Sequence, residues 1–138
     1  MANALYEAGR NAFLSGSIAW VADNIKLHLV NIVGVASPYV FDAAHLMFAS
    51  VPTSARIATS ASLSAKAAAS GIADADDTIC SAVSGPTAGA IIIFKEGASH
   101  AASLLIAYID TATGLPVQPN GGDITTQWDS GANKIFKL

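Results

Sequence analysis

This sequence is short of charge. Only 12% of its 138 residues are Asp, Glu, Lys or Arg, about half the ~25% usual in soluble domains. The seven Lys and Arg are scattered, and the formal net charge is −3. Phosphate-dominated binding needs a clustered basic face, so no nucleic-acid partner is expected. Hydrophobic residues reach 52%, and a surface this poor in charge is expected to be covered in part by a partner. Cys80 is the single cysteine, which excludes an internal disulfide. With no basic neighbour in TICSAV to activate its thiol, it reads as a buried side chain. Long apolar runs are missing too. The longest lies around AIIIF, whereas a membrane helix needs ~20 such residues, so no membrane span is expected. The opening MANALYEAGR lacks a basic stretch leading into an apolar one and does not read as a signal peptide.

What the chain does have is length for one domain, here read as 1–138. A chain of this size buries roughly 68–70% of its unfolded surface, enough for a core without staples. Leu5, Ala8, Ala12 and Phe13 recur at helical spacing between Asn3, a candidate N-cap, and Gly16, a candidate stop. Trp20 follows on a short linker. The segment NIKLHLVNI then alternates, with Ile25, Leu27 and Leu29 on one side and Lys26 and His28 on the other, as in a half-buried strand. His28, on the polar side, reads as a solvated or interface residue. Phe41, Ala44, His45 and Phe48, between Pro38 and Pro52, predict one further short helix.

The Ala- and Ser-rich stretch 53–71 is ambiguous. Alanine propensity favours helix, while the alternation around Ile57 and from Leu63 to Ala69 favours two short strands, the reading adopted. Beyond it, DTICSAVS, AIIIFKE, SLLIAYID, ITTQWD and NKIFKL read as strands separated by Gly, Pro and Asp turns, the last two joined in a hairpin through SGA. Short strands at about 8–12-residue spacing predict an all-β sandwich or barrel, residues 24–138, behind an N-terminal helix or arm, residues 1–20.

Chemistry is hard to find in this pattern. ADADDT resembles the start of a calcium loop, but the positions that need Gly and Glu hold Ile79 and Gly85. GPTAG lacks the Lys-Ser/Thr of a phosphate loop. No serine sits in a G-x-S-x-G elbow, and His100 in EGASHAAS has only sequence-neighbour serines. PNGGD and DSGAN supply turn glycines and precede strands, not helices, so they read as turns and not as an anion cradle. No catalytic residue, metal ligand or cofactor site is predicted.

The two ends of the chain, MANALYEAGRNAFLSGSIAW and LIAYIDTATGLPVQPNGGDITTQWDSGANKIFKL, resemble those of the head decoration (cement) proteins of tailed bacteriophages. The resemblance implies a jelly-roll-like antiparallel sandwich on the outer surface of the virion head. It implies homo-oligomers that bridge neighbouring major capsid protein subunits, with the protein in the host cytoplasm during assembly. The low charge content and the default of closed symmetry make a homodimer the first expectation and a trimer the second. It carries no catalytic residues. Within the N-terminal segment, Leu5, Phe13, Ile18 and Trp20 offer apolar surface for a capsid or self contact. The competing expectation is a phage tail or fibre module that binds a host carbohydrate, with Trp20, Trp128 and Tyr39 as stacking candidates.

Overall fold

Three apolar strands set the architecture. A computed structural model describes residues 4–112, 114–128 and 134–137. In it β2 (Ile25–Val30), β7 (Ala90–Lys95) and β8 (Leu104–Ile109) lie side by side, antiparallel. With β1 (Ala4–Leu5) and β3 (Arg56–Thr59) they complete a five-stranded sheet in the order β1-β8-β7-β2-β3. Leu27 stands opposite Ile93 and Leu29 opposite Ile91, while His28 faces Ile92 and Val30 faces Ala90. Because side chains alternate along a strand, these two sets occupy opposite faces. Both faces are apolar, which is why AIIIF and LLIAY read as nearly unbroken runs and not as alternation.

Each face has its own cover. On the first, Ile25, Leu27, Leu29, Ile91, Ile93 and Ile106 pack with Trp20, Ala73, Cys80 and Ile135. Those partners come from helix α1 (Glu7–Ser15) and the turn after it, and from two small antiparallel sheets. One has the order β10-β5-β4, built from β4 (Ala67–Ala69), β5 (Ile72–Asp74) and β10 (Phe136–Lys137). The other pairs β6 (Thr78–Cys80) with β9 (Ile124–Thr126). On the second face, Val30, Ile92, Phe94, Leu105 and Tyr108 pack with Tyr6, Tyr39, Phe48, Val51 and Ala55. Most of these belong to residues 31–55, the long connection from β2 to β3.

The protein is mainly β and antiparallel, with one α-helix among the described residues. The two strands expected in the Ala/Ser-rich stretch are β3 and β4. Ser70 and Gly71, both at positive φ (54° and 76°), turn β4 into β5, the conformation of a type I′ hairpin. Gly16, at φ 80°, ends α1 as anticipated, its N–H returning to the Ala12 and Phe13 carbonyls. Asn3, the candidate N-cap, and DSGAN, residues 129–133, lie outside the described residues. Tyr6 occupies the N-cap, because Ala4 and Leu5 are extended along β8.

Three expectations are corrected. The helix predicted over Phe41–Phe48 is instead a set of turns ending in a 3₁₀ turn, Phe48–Ser50. Its backbone is drawn to the edge of β8, where Leu105 N donates to Leu46 O and Phe48 N to Ser103 O. That extended pairing displaces the i to i−4 ladder a helix needs. The segments ITTQWD and NKIFKL do not pair with each other: β9 pairs with β6 and β10 with β5. Finally, His28 is buried, not solvated, since residues 31–55 cover the face that a half-buried strand leaves open.

Helix α1 approaches β8 as closely as a backbone allows. A Cβ on Gly9 would stand 2.8 Å from Ile106 Cα and 3.0 Å from two carbonyl oxygens. In an open helix Gly→Ala stabilises by about 1 kcal/mol. Here the methyl meets backbone that cannot rotate away, and overpacking of this kind costs about 1–3 kcal/mol. The Gly9→Ala variant is therefore expected to be less stable than the parent by about 1–2 kcal/mol, read as a lower urea midpoint at unchanged m-value.

Candidate functional site: an outer apolar surface

The four N-terminal residues expected to make contacts are used by the protein itself. Leu5 is half-buried in β1. Phe13 lies on α1 with its ring 5.9 Å from that of Phe136. Ile18 and Trp20 are only 5% and 6% exposed. The Trp20 indole meets Phe136 edge-on at 5.3 Å and donates its Nε1–H to the Asp74 carbonyl at 3.1 Å. In this conformation Ile18 and Trp20 hold α1 and the three-stranded sheet on the core and have no face left for a partner. The apolar side chain that this segment does present outward is Leu14, 87% exposed.

Among the described residues the other large exposed apolar side chains are Val21, Val33, Val40, Leu46 and Ile79. Three of them, Val33, Val40 and Leu46, share the 31–55 connection that covers the second face of the sheet. The connection is fixed from beneath. Asn31 donates its N–H to Ala55 O, accepts from Tyr39 N, and donates Nδ2 to Thr87 O at 2.8 Å. Ser54 Oγ accepts from Ser37 N and donates to Ser37 O. Tyr39 and Phe48 are sunk into the core, so the residues between them are held in place. Exposed apolar groups on a backbone already ordered bind with less conformational entropy to lose. The sequence reading missed Val33 and Val40 because VGVASPYVF has no helical or strand period to show which residues face out, and Leu46 because it fell within the helix expected over Phe41–Phe48.

Under this surface lies a polar–aromatic cluster. The hydroxyls of Tyr6 and Tyr39 share a hydrogen bond of 2.6 Å, and Tyr39 reaches His45 Nδ1 at 3.0 Å. Burial pushes the Tyr39 phenol up to about 12 and raises Tyr6 and Tyr108 further still, so these are neutral hydrogen-bonding groups and poor proton donors to a reaction. Further along, the Phe48 ring is ringed by His28 (4.7 Å), His100 (4.8 Å) and Phe94 (4.9 Å), with the Arg56 guanidinium 5.1 Å from its centroid. Arg56 donates Nε–H to Val51 O at 3.0 Å and Nη1–H to His100 Nδ1 at 2.9 Å. Arginine has no acceptor, so His100 Nδ1 carries the lone pair in this contact.

The same geometry locates the histidine and the serines of EGASHAAS. Beside the cluster a cleft of about 390 Å3 is lined by Lys26, Glu96, His100 and Ser103 among others. Ser103 Oγ donates to Ser99 O and accepts from Gly97 N, and His100 Nδ1 is held by Arg56. The serine hydroxyl is a loop fastener, not a nucleophile aligned on a base. Lys26 and Glu96 pair with each other at 2.7 Å. Among the described residues no three His, Cys, Asp or Glu side chains gather in a way that would hold a metal ion. Cys80 is buried, and burial raises its thiol to about 11. Of the stacking candidates for a sugar, Trp20 and Tyr39 are buried. Trp128 is half-buried, with its Nε1–H on Thr78 Oγ1 at 3.2 Å.

His28 gives the second face a pH dependence. Its Nδ1 bonds Thr59 Oγ1 at 2.6 Å, and its Nε2 is buried with no hydrogen-bond partner among the described residues. A protonated ring would bury an N–H without an acceptor close to Arg56. Desolvation first, then the charge of Arg56, lower its pKa from 6.5 to about 3. The unfolded chain therefore binds this proton more readily than the folded one. The stability contribution is complete above about pH 6.5 and is lost as the pH falls towards 3, at up to about 1.4 kcal/mol per pH unit. Asp23, lowered by the Ala19 backbone hydrogen bond and then by Lys95, acts only below the ordinary carboxylate range. Between pH 6.5 and 4.5 the unfolding free energy of the parent should thus fall more steeply than that of His28→Leu, whose Thr59 partner is exposed and can turn to water. Equal slopes in urea titrations across that window would contradict the assignment.

No protein-family model matches the chain, and no curated protein matches it at a significant level.

Proposed function

We propose that this is a structural virion protein, a decoration or cement protein that binds the outside of an icosahedral phage head. Its partner is the major capsid protein, and bridging neighbouring subunits stabilises the shell against the pressure of packaged DNA. The observation that carries the reading is the set of apolar side chains held outward on a fastened connection: Val33 at 72%, Val40 at 74% and Leu46 at 57% exposure. A chain with 12% charged residues has little to keep such groups apart from a partner. The resemblance of the chain ends to head decoration proteins points the same way. The jelly-roll-like description belongs to this proposal as well. It rests on a five-stranded sheet faced by strands of two smaller sheets.

The mechanism is mechanical. A clamp that touches two capsid subunits makes their separation cost its own binding energy, and many weak clamps over a shell act together. Each apolar side chain of this size contributes roughly 1.5–3 kcal/mol when fully buried. Three of them on one ordered connection supply a useful contact without a charged hot spot. A homodimer is the proposed unit, since closed two-fold symmetry is the common solution for self-association.

Single Val40→Asp and Leu46→Asp variants are expected to keep the parent's unfolding midpoint, because both side chains are already in water. They should lose at least about tenfold in affinity for undecorated heads in a sedimentation binding assay, the factor that 1.4 kcal/mol represents. Sedimentation of the free proteins tests the dimer in the same runs. Unchanged decoration by both variants would remove this surface from the proposal, and failure of the parent to bind heads would remove the function.

A further inference from the structure

We propose that Asn120 is a site of spontaneous deamidation and that the fold gates the reaction through the hydrogen bonds that fasten its loop, foremost the one that holds the Gly121 N–H. The chain has six asparagines, and Asn120 alone precedes glycine. The reaction needs no enzyme. The backbone nitrogen of Gly121, having lost its proton, attacks Cγ of Asn120. A C–N bond forms, the Cγ–Nδ2 bond breaks and ammonia leaves, giving a five-membered succinimide. Water then opens the ring at either carbonyl, to aspartate or to isoaspartate. Glycine favours the attack because no side chain obstructs its nitrogen and its backbone adopts the ring geometry freely.

The native loop holds both reacting groups away from this path. Gly121 N–H, the nucleophile's proton, is donated to Val83 O at 2.7 Å. Asn120 Oδ1, on the carbon to be attacked, accepts from Gly122 N at 2.9 Å. Two more bonds fasten the same loop: Val83 N to Gly122 O at 2.9 Å and Ala82 N to Asp123 Oδ1 at 2.9 Å. Yet the loop is poised to open. Residues 120–123 are all exposed, and the facing Ala82 is held at a positive φ of 49°, unfavourable for a residue with a Cβ. Exposed loops of this kind open far more often than the core. Each opening frees the Gly121 nitrogen.

The product does not fit the closed loop. Isoaspartate carries the chain through Cβ, adding one backbone atom between the Asn120 position and Gly121, so the two bonds to Val83 no longer align together. The new carboxylate also stands near Asp123 and takes the formal charge from −3 to −4, one added negative group. The β6–β9 pair next to it, which ends at Cys80 opposite Ile124, loses its fastened end.

The test follows every asparagine by proteolysis and mass spectrometry, with chromatographic separation of aspartate and isoaspartate. The full chain is incubated at mildly alkaline pH in native buffer and in denaturant. In denaturant Asn120 should convert faster than the other five. In native buffer it should convert at least about tenfold more slowly than in denaturant, as a loop that must open first requires. Asp123→Ala, which leaves Ala82 N without its acceptor, should bring the native rate towards the denatured one and leave the denatured rate unchanged. Equal native and denatured rates overturn the gate, as does an Asp123→Ala variant that folds and shows no acceleration. Another asparagine leading in denaturant overturns the site. Should Asp123→Ala not fold, the native-to-denatured ratio in the unaltered chain decides.

Discussion

Everything in this protein depends on a sheet that is apolar on both sides. A β-sheet with one wet face needs a single covering layer, but β2, β7 and β8 carry Leu27, Leu29, Ile91 and Ile93 on one side and Val30, Ile92, Phe94 and Leu105 on the other. Each side chain of this kind, left in water, forgoes roughly 1.5–3 kcal/mol. Two covers are therefore required, and the rest of the chain supplies them. The first is made of α1 and the small sheets. The second is the 31–55 connection, which has no regular strand or helix beyond short 3₁₀ turns and is ordered by side-chain fasteners and by the edge of β8.

This requirement also explains which parts of the structure were legible in the sequence. The strong strands were readable because β-branched and aromatic residues concentrate in them, and α1 because Ala8, Ala12 and Phe13 repeat at helical spacing up to Gly16, although Leu5, read with them, belongs to β1. The β3 and β4 assignments survived the alanine propensity because Arg56–Thr59 and Ala67–Ala69 find strand partners in β2 and β5, although β4 is exposed at every residue and its alternation marks no buried face. What could not be read was the cover. Whether His28 is wet or dry depends on a connection that folds back over it from residues 31–55, and nothing in NIKLHLVNI records that. The Phe41–Phe48 pattern looked helical because apolar spacing of three and four also arises when alternate residues of an irregular segment drop into a core.

The candidate surface was illegible for the same reason. Apolar content near the N-terminus suits an attachment arm as well as a helix capping the sandwich, and Ile18 and Trp20 are spent on the core, with the indole N–H tied to Asp74. The outward residues Val33, Val40 and Leu46 sit in a stretch whose inner and outer positions follow no period. Pro38, Tyr39 and the Asn31 fasteners decide them, and those act across space. The aromatic candidates for carbohydrate stacking met a similar fate: Tyr39 is committed to Tyr6 and His45, and Trp20 to Phe136.

The 31–55 connection divides its residues between two tasks. Tyr39, Phe48, Val51 and Ala55 point in and define the core, while the side chains of Val33, Val40 and Leu46 stand mostly in water. Drift at the outer positions is thus uncoupled from folding. Over generations such a segment can exchange one outward surface for another and follow a changing partner, while the inner residues stay fixed. Two chains related in this way would share a core and little recognisable surface sequence, and their kinship would persist in the buried strands long after it had faded from the contacts.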